Sequence, residues 1–364
     1  MTQRLTGNIF TKEGTIKYGT AEIEDGKIVS VDAKSDSRED AEYILPGLTD
    51  IHSHGCMAHD TCDASVEGLV EMANFQLSQG VTSYFPTTMT FDEERLLKVV
   101  DAVREASILV TNIKGIYLEG PFISPNKVGA QNPKYVQAPD FDMLVRLQKK
   151  ANGLIRFVAI APEVKGAAEF IRKVRTSSDP DINKIKLTIA HTTADYDTAY
   201  SAITEGADHI THLYNAMPPY NHREPGVIGA VYDSKAVAEM ICDGIHIHPA
   251  VIRNTFRTLG PDRICLISDS CEAAGMPDGL YELGGQPVRK TGRRAVLDNS
   301  DTIAGSASTL LDCLRYTVFS AHVPMEQAVI AAAVTPAREA GMVPDGVIVL
   351  DKDLKGIVHE RFYS

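Results

Sequence analysis

The chain has 364 residues, 44% of them hydrophobic and 23% charged, a balance that excludes a disordered protein and suits one large catalytic domain plus a small one. Lys plus Arg number 36 against 48 Asp plus Glu, a formal net charge of −12. That charge argues against general binding to nucleic acid or to an anionic membrane, and it obliges any anionic substrate to find a local cationic site.

The opening residues, MTQRLTGNIFTKEGTIKYG, lack the apolar core of a secretory signal. No stretch approaches the roughly 18 apolar residues of a membrane helix. The six cysteines (Cys56, Cys62, Cys242, Cys265, Cys271 and Cys313) form no C-x-x-C pair and read as reduced thiols of a cytoplasmic protein. Phe10–Lys17 and Ala21–Val31 alternate loosely as strands, with a hairpin turn at Glu24-Asp25-Gly26-Lys27. Asp345–Leu350 and Gly356–Val358 are strand-like at the other end. The two ends are expected to pair as one small β-sandwich, residues 1–46 with 342–364, around a central domain of residues 47–341.

In that central part, eight apolar runs recur: Tyr43–Ile51, Val81–Pro86, Gly115–Leu118, Ile155–Ile160, Lys186–Ala190, His209–Leu213, Ala236–Cys242 and Arg263–Ser268. Segments between them, such as Glu67–Gln79 and Glu93–Ala106, have helical apolar spacing. Eight strand-then-helix units predict a closed (β/α)8 TIM barrel. The alternative is an open doubly wound sheet, which the lack of a G-x-G-x-x-G after an early strand disfavours. In a barrel the strand C-termini converge on one face, where active sites form. Polar residues sit at those ends: His52 and His54 after Ile51, Glu119 after Leu118, His191 after Ala190, His212 within the sixth run and Asp269 after Ser268.

His52-Ser53-His54 has period-two spacing, so both rings leave a strand on one side, an arrangement suited to a divalent metal; in isolation an H-x-H pair also suits surface or loop histidines. Glu119, at a strand end before a turn, can bind metal; alone it would also suit a cap or a salt bridge. His191 and His212 taken singly would read as buried, satisfied histidines, and His209 is the better candidate for that role. Asp269 can exchange a proton with a metal-bound water and then with a leaving amine, though an isolated aspartate also suits an N-cap. Asn215-Ala216-Met217-Pro218-Pro219 and Arg223 offer amides and a guanidinium fork for phosphate; alone, Arg223 is an ordinary surface arginine.

Over essentially its whole length the sequence resembles the N-acetylglucosamine-6-phosphate deacetylases of the amidohydrolase superfamily. The collinear segments are LPGLTDIHSHG, TSYFPTT, LEGPF, NPKY, IAHT, THLYNAMPP, REPG, DGIH, SDS, MPDGLYELGG, IAGSAS and TPA. The resemblance implies that Glu119, His191 and His212 hold the main catalytic metal, and that Asp269 is the proton acceptor and donor. It implies phosphate contacts from Asn215, Ala216 and Arg223, with Arg223 reaching the neighbouring site of a homodimer. His246 matches a substrate-contacting histidine, and Ile303-Ala304-Gly305 a segment lining the sugar pocket. Members that keep the H-x-H pair bind two metals, which places His52 and His54 in the ligand set. Zn²⁺ is the first expectation, with Fe²⁺ or another divalent ion as alternatives, at one or two ions per subunit.

One departure concerns the substrate segment, Ala130-Gln131-Asn132-Pro133. The family typically has histidine where Gln131 stands, and glutamine cannot become cationic or shuttle a proton. The implied reaction is hydrolysis of N-acetylglucosamine 6-phosphate to glucosamine 6-phosphate and acetate. One rival is the same chemistry on another N-acyl amino-sugar phosphate, such as N-acetylgalactosamine 6-phosphate. A cyclic-amide hydrolase resembling dihydroorotases would usually carry a carbamylated lysine, which the fourth run lacks. A non-catalytic sugar-phosphate or metal-binding protein would have no use for Asp269.

Overall fold

The computed structural model describes residues 2–358. Met1 and residues 359–364, which the expected β-domain includes, lie outside the described residues. The two ends of the chain meet in one five-stranded sheet, in the order Val347–Leu350, Tyr43–Pro46, Gln3–Phe10, Ile16–Glu24 and Lys27–Asp36. Its apolar side gathers Ile9, Ala21, Ile23, Ile44, Val347 and Val349. The hairpin at Glu24–Lys27 forms as expected: Asp25 and Gly26 both have positive φ, 48° and 69°, the geometry that two-residue hairpins demand. Phe10–Lys17, expected as a strand, is instead a strand end, a turn and a strand start. Gly14 (φ 74°) and the bonds Thr11 N to Thr15 O and Gly14 N to Thr11 O close that turn.

Eight parallel strands form the barrel: Leu48–Ser53, Val81–Thr88, Ile116–Leu118, Ile155–Ile160, Lys186–Ile189, His209–Ile210, Val237–Ile241 and Ile264–Ile267. They neighbour one another in sequence order. The first and last strands adjoin, since the Asp269 N–H donates to His52 O at 2.9 Å and the Ser268 hydroxyl to Asp50. The open-sheet alternative is thereby removed. The first expected run, Tyr43–Ile51, divides between the two sheets at Gly47. A Cβ there would lie 2.0 Å from Thr82 Oγ1 and 2.2 Å from Asp345 O, so the crossing point has no room for a side chain.

Helices follow the expected periodicity. Glu93–Leu109 buries Leu96, Val99, Val100, Val103 and Ala106 along one face, and Asp92 caps it by accepting from Arg95 N. Val66–Ser78 is capped in the same way by Ser65. Strand alternation separates two packing layers. Ile51, Phe85, Tyr117, Phe157, Ala159, Ala190, Val237, Ile241, Cys265 and Ile267 form one cluster, while their neighbours Leu118, Val158, Ala238 and Leu266 belong to the other. The six cysteines are buried and free. No helix among the described residues is long and apolar enough to cross a membrane. A three-stranded sheet at Gly279–Leu283, Gln286–Thr291 and Arg294–Leu297 stands outside the expected elements.

Candidate metal centre and active site

The barrel strands deliver the chemistry-bearing residues at their C-terminal ends. Glu119 directly follows the third strand; His191, His212 and Asp269 each lie two residues beyond the fifth, sixth and eighth. Those last three adopt left-handed backbone conformations, with φ of 42°, 27° and 47°. Non-glycine residues in this region cost about 1–3 kcal/mol each and cluster at functional sites.

Glu119 stands at the centre. Its Oε1 lies 3.1 Å from His191 Nε2, 2.8 Å from His212 Nε2 and 3.6 Å from His52 Nε2, and its Oε2 lies 3.1 Å from His54 Nε2. All five side chains are buried. Among the described residues this gives two overlapping triads of metal-competent groups, His52–His54–Glu119 and Glu119–His191–His212. Burial raises the pKa of Glu119, but His52 and His191 outweigh it and hold the carboxyl well below its ordinary range.

The hydrogen bonds on the far side of the rings test whether a metal fits. His52 Nδ1 faces Glu239 Oε2 at 2.9 Å, His54 Nδ1 faces Thr87 O at 3.2 Å, and His191 Nδ1 faces Lys127 O at 3.1 Å. A carbonyl or an ionised carboxylate only accepts, so each Nδ1 carries a proton, which leaves Nε2, the nitrogen facing the cluster, as the one that would ligate. His191 Nε2 and His212 Nε2 lie 3.2 Å apart, and the buried His52 Nε2 has no hydrogen-bond partner. Imidazole nitrogens converging on one carboxylate, each steadied at its far nitrogen, are an arrangement that a divalent cation would satisfy. The donor set of imidazoles and a carboxylate suits zinc, iron and neighbouring ions alike.

Asp269 borders the same cluster, its Oδ1 3.2 Å from His54 Nε2 and 3.5 Å from His52 Nε2. A cavity of about 170 Å³ opens above, lined by His54, Glu119, His191, His212 and Asp269. Of the expected substrate residues, Ala130, Gln131, Asn215, Ala216, His246, Ile303 and Gly305 line it too. Ala304 is fully buried in the wall, its N–H donating to Ala295 O. His52 lies beneath the cavity, fully buried.

Arg223 is not in this cavity. It is exposed and lines a separate hollow with Thr193, Asp195, Pro219 and Glu224. Gln131 is held at both ends: its Oε1 accepts from Thr90 N at 2.7 Å, and its Nε2 donates to Glu119 Oε2 at 2.6 Å. Because Thr90 N must donate, the amide is fixed with its NH₂ toward Glu119. The residue therefore braces the central carboxylate as well as lining the cavity.

Three features of the site go beyond the motifs in the sequence. Asp243 accepts from Ile245 N, His246 N and His246 Nδ1 at 2.8, 3.0 and 2.9 Å. Burial raises its pKa, but the His246 bond and charge and the backbone donors keep the carboxyl below its ordinary value. His246 thus has its Nδ1 occupied. Glu239 sits inside the barrel, an unaccompanied carboxylate within the apolar run Ala236–Cys242; a buried charge must be paired, which was the available signal. The three-stranded sheet supplies Leu283 to the cavity wall, and Gln286 ties it to the cavity loop by donating to Ala130 O.

Comparison with known proteins gives a consistent picture. Residues 43–344 match the model of the amidohydrolase family. The chain is 39% identical over 323 residues to the N-acetylglucosamine-6-phosphate deacetylase of Bacillus subtilis (strain 168), covering 85% of this chain and 80% of that one. It is 32% identical over 346 residues to the N-acetylgalactosamine-6-phosphate deacetylase of Escherichia coli O157:H7, covering 93% and 89%. Among solved structures, a mutant N-acetyl-D-glucosamine-6-phosphate deacetylase from Mycobacterium smegmatis, in complex with N-acetyl-D-glucosamine 6-phosphate, superposes with a TM-score of 0.89. It is 32% identical, and the match covers 98% of this chain and 96% of that one.

Proposed function

The chain belongs to the amidohydrolase family, and from that premise we propose that it hydrolyses the N-acetyl group of N-acetylglucosamine 6-phosphate, giving glucosamine 6-phosphate and acetate. The observation that carries this reading is the pair of buried triads sharing Glu119 beside Asp269 at the floor of the cavity. Glu119, His191 and His212 would hold the main ion, with Zn²⁺ the first choice, and His52 and His54 would complete a second site. A divalent ion held there supplies electrophilic polarisation of the amide carbonyl and acidifies water.

The chain's own residues do the rest. Asp269 accepts a proton from the attacking water and delivers it to the sugar nitrogen, since an amine anion is a very poor leaving group. His246, braced by Asp243, is aimed to stabilise the oxyanion that develops on the carbonyl. Asn215 and Ala216 would receive the phosphate, and Ala130, Gln131, Ile303 and Gly305 would enclose the sugar, with Ala304 behind them. We assign residues 1–46 with 342–364 to the small β-domain and 47–341 to the catalytic barrel.

Arg223 lies outside the cavity of its own chain, which supports its serving a neighbouring subunit in a homodimer. Arg223→Ala is expected to raise KM and lower kcat/KM for the phosphorylated sugar by about 10- to 150-fold, the equivalent of losing roughly 1.5–3 kcal/mol of charged hydrogen bonding. The variant should lose little on unphosphorylated N-acetylglucosamine, already a poor substrate for the parent enzyme. Equal parent efficiency on both sugars would remove the phosphate assignment. Mixing Arg223→Ala subunits with Asp269→Asn subunits should restore activity, because one heterodimer site is intact; failure to restore would place Arg223 in its own site or in none.

Two observations favour a second reading. The Escherichia coli relative named for N-acetylgalactosamine 6-phosphate covers 93% of this chain, and Gln131 replaces the family's usual histidine in the substrate segment. Both epimers assayed side by side decide between the two substrates.

A further inference from the structure

We infer that Glu239, inside the barrel, is the positioning residue for the second half of the metal cluster: it holds His52 in the orientation and tautomer that ligate, and so governs filling of the His52–His54–Glu119 triad. The inference rests on the reading of that triad as an ion site.

Glu239 lies between Val237 and Ile241 on the seventh strand, and both of these belong to the cluster inside the barrel. Period-two alternation therefore turns its side chain inward. Its carboxylate is fully buried and touches both halves of the metal cluster. Oε2 faces His52 Nδ1 at 2.9 Å and also accepts from His212 N at 3.2 Å. Oε1 faces His209 Nε2 at 3.1 Å. A buried carboxylate needs a counter-charge, and His209 provides it. Burial disfavours the His209 cation, yet bonding to Glu239 and Glu339 raises its pKa to about 9. Beyond His209, Glu339 Oε2 lies 3.5 Å from His209 Nδ1 and 3.1 Å from Lys186 Nζ. Carboxylates and cations thus alternate from Lys186 through Glu339 and His209 to Glu239, whose other oxygen faces His52.

His52 differs from its companions. His54 and His191 rest their Nδ1 atoms on backbone carbonyls, whereas His52 rests on a charged carboxylate. Charge-assisted bonds are roughly twice as strong as neutral ones, and such a partner raises the basicity of the ligating nitrogen. The need is also greater. His52 Nε2 lies 3.6 Å from Glu119 Oε1 and 3.5 Å from Asp269 Oδ1. With no acceptor at Nδ1, the ring would carry its proton on Nε2 and donate it to one of those carboxylates. That tautomer cannot ligate, and the proton would occupy the ion's place. The ring cannot swing away, because it packs on Tyr117 with centroids 4.5 Å apart, and the Tyr117 hydroxyl is tied to Thr188 and Thr211.

The experiment measures zinc bound per chain across a free-zinc titration, for wild type, His52→Ala, Glu239→Ala and Glu239→Gln, each stripped by chelation beforehand. Spectra of ¹⁵N-histidine-labelled protein at the zinc-saturated end of the titration report the His52 tautomer in parallel. Wild type is expected to bind two ions and His52→Ala one, a comparison that tests the two-ion reading by itself. Glu239→Ala should keep the first ion at wild-type affinity and hold the second at least about 10-fold more weakly, the usual consequence of losing such a partner. Its His52 signal should move from the Nδ1–H to the Nε2–H tautomer. Glu239→Gln, equal in volume and still an acceptor, should shift the second ion less and in the same direction; it decides the matter if the alanine variant does not fold. Unchanged affinities and tautomer in folded variants overturn the inference. So does loss of both ions together, which would mark Glu239 as structural only. One ion per wild-type chain, with the tautomer still changing in Glu239→Ala, overturns the two-ion reading and leaves the positioning of His52 standing.

Discussion

Asp269→Asn is expected to lower kcat by about 10⁴-fold while leaving the fold, the metal content and KM nearly unchanged. The expected loss takes the upper end of the roughly 10²–10⁴-fold typical of general acid–base catalysis, because one group serves both proton transfers. The substitution is isosteric, and Asp269 has φ of 47°, a conformation that asparagine tolerates as well as aspartate does. Its backbone bonds, to His52 O and from Ser306 N, do not involve the side chain. What changes is Oδ1, 3.2 Å from His54 Nε2 and 3.5 Å from His52 Nε2, which becomes part of an amide unable to take a proton. The measurement is kcat on a variant shown to be folded and metal-loaded. A loss under tenfold would assign the proton transfers to another residue, His246 being the next candidate in the cavity.

His212→Ala is expected to abolish the main metal site and, with it, turnover. His212 Nε2 lies 2.8 Å from Glu119 Oε1 and 3.2 Å from His191 Nε2, so its removal takes one of three donors from a single point. Losing a direct ligand should cost more than the 10- to 100-fold typical of losing a ligand's supporting partner. Affinity should fall by more than about 100-fold. An ion bound more tightly by the folded chain than by the unfolded one stabilises the fold, so chelation should lower the melting temperature of wild type. The melting temperature of His212→Ala should not respond. Full metal occupancy in the variant would remove His212 from the ligand set. His191→Ala should behave in the same way, because its Nε2 faces the same oxygen at 3.1 Å.

The barrel was legible because its evidence is repeated. Eight apolar runs with helical spacing between them have few other solutions, and polar residues at the run ends point to one face of a closed barrel. Legibility failed where a pattern was local. Tyr43–Ile51 reads as one run, yet it is two strands in two sheets, because the division at Gly47 depends on how closely Thr82 and Asp345 approach. Phe10–Lys17 was read through a turn whose polar residues and Gly14 were visible. The sheet spanning Gly279–Leu297 follows the eighth strand, where the repeat calls for a helix; its Gly284-Gly285 and Gly292 turns, all at positive φ, were the overlooked signal.

The site divides along the same line. His52, His54, Glu119, His191, His212 and Asp269 could be singled out because each sits at or just past the end of an apolar run, and the family resemblance supplied their roles. What holds them could not, because Thr87 and Lys127 act through backbone carbonyls, which every residue has. Gln131 was noticed as a departure from the family pattern, but its bonds to Thr90 N and Glu119 depend on loop geometry that spacing does not encode. Asp243 was readable in principle, three residues before His246 in a turn.

The most direct measurement is acetate release from N-acetylglucosamine 6-phosphate by metal-quantified protein, before chelation, after it, and after divalent metal is returned. Stoichiometric acetate and glucosamine 6-phosphate are expected from the loaded enzyme, with activity lost on chelation and regained with the ion. Loaded, folded protein that releases no acetate from this sugar phosphate or its galactosamine epimer, or that turns over undiminished without metal, would contradict metal-dependent deacetylation.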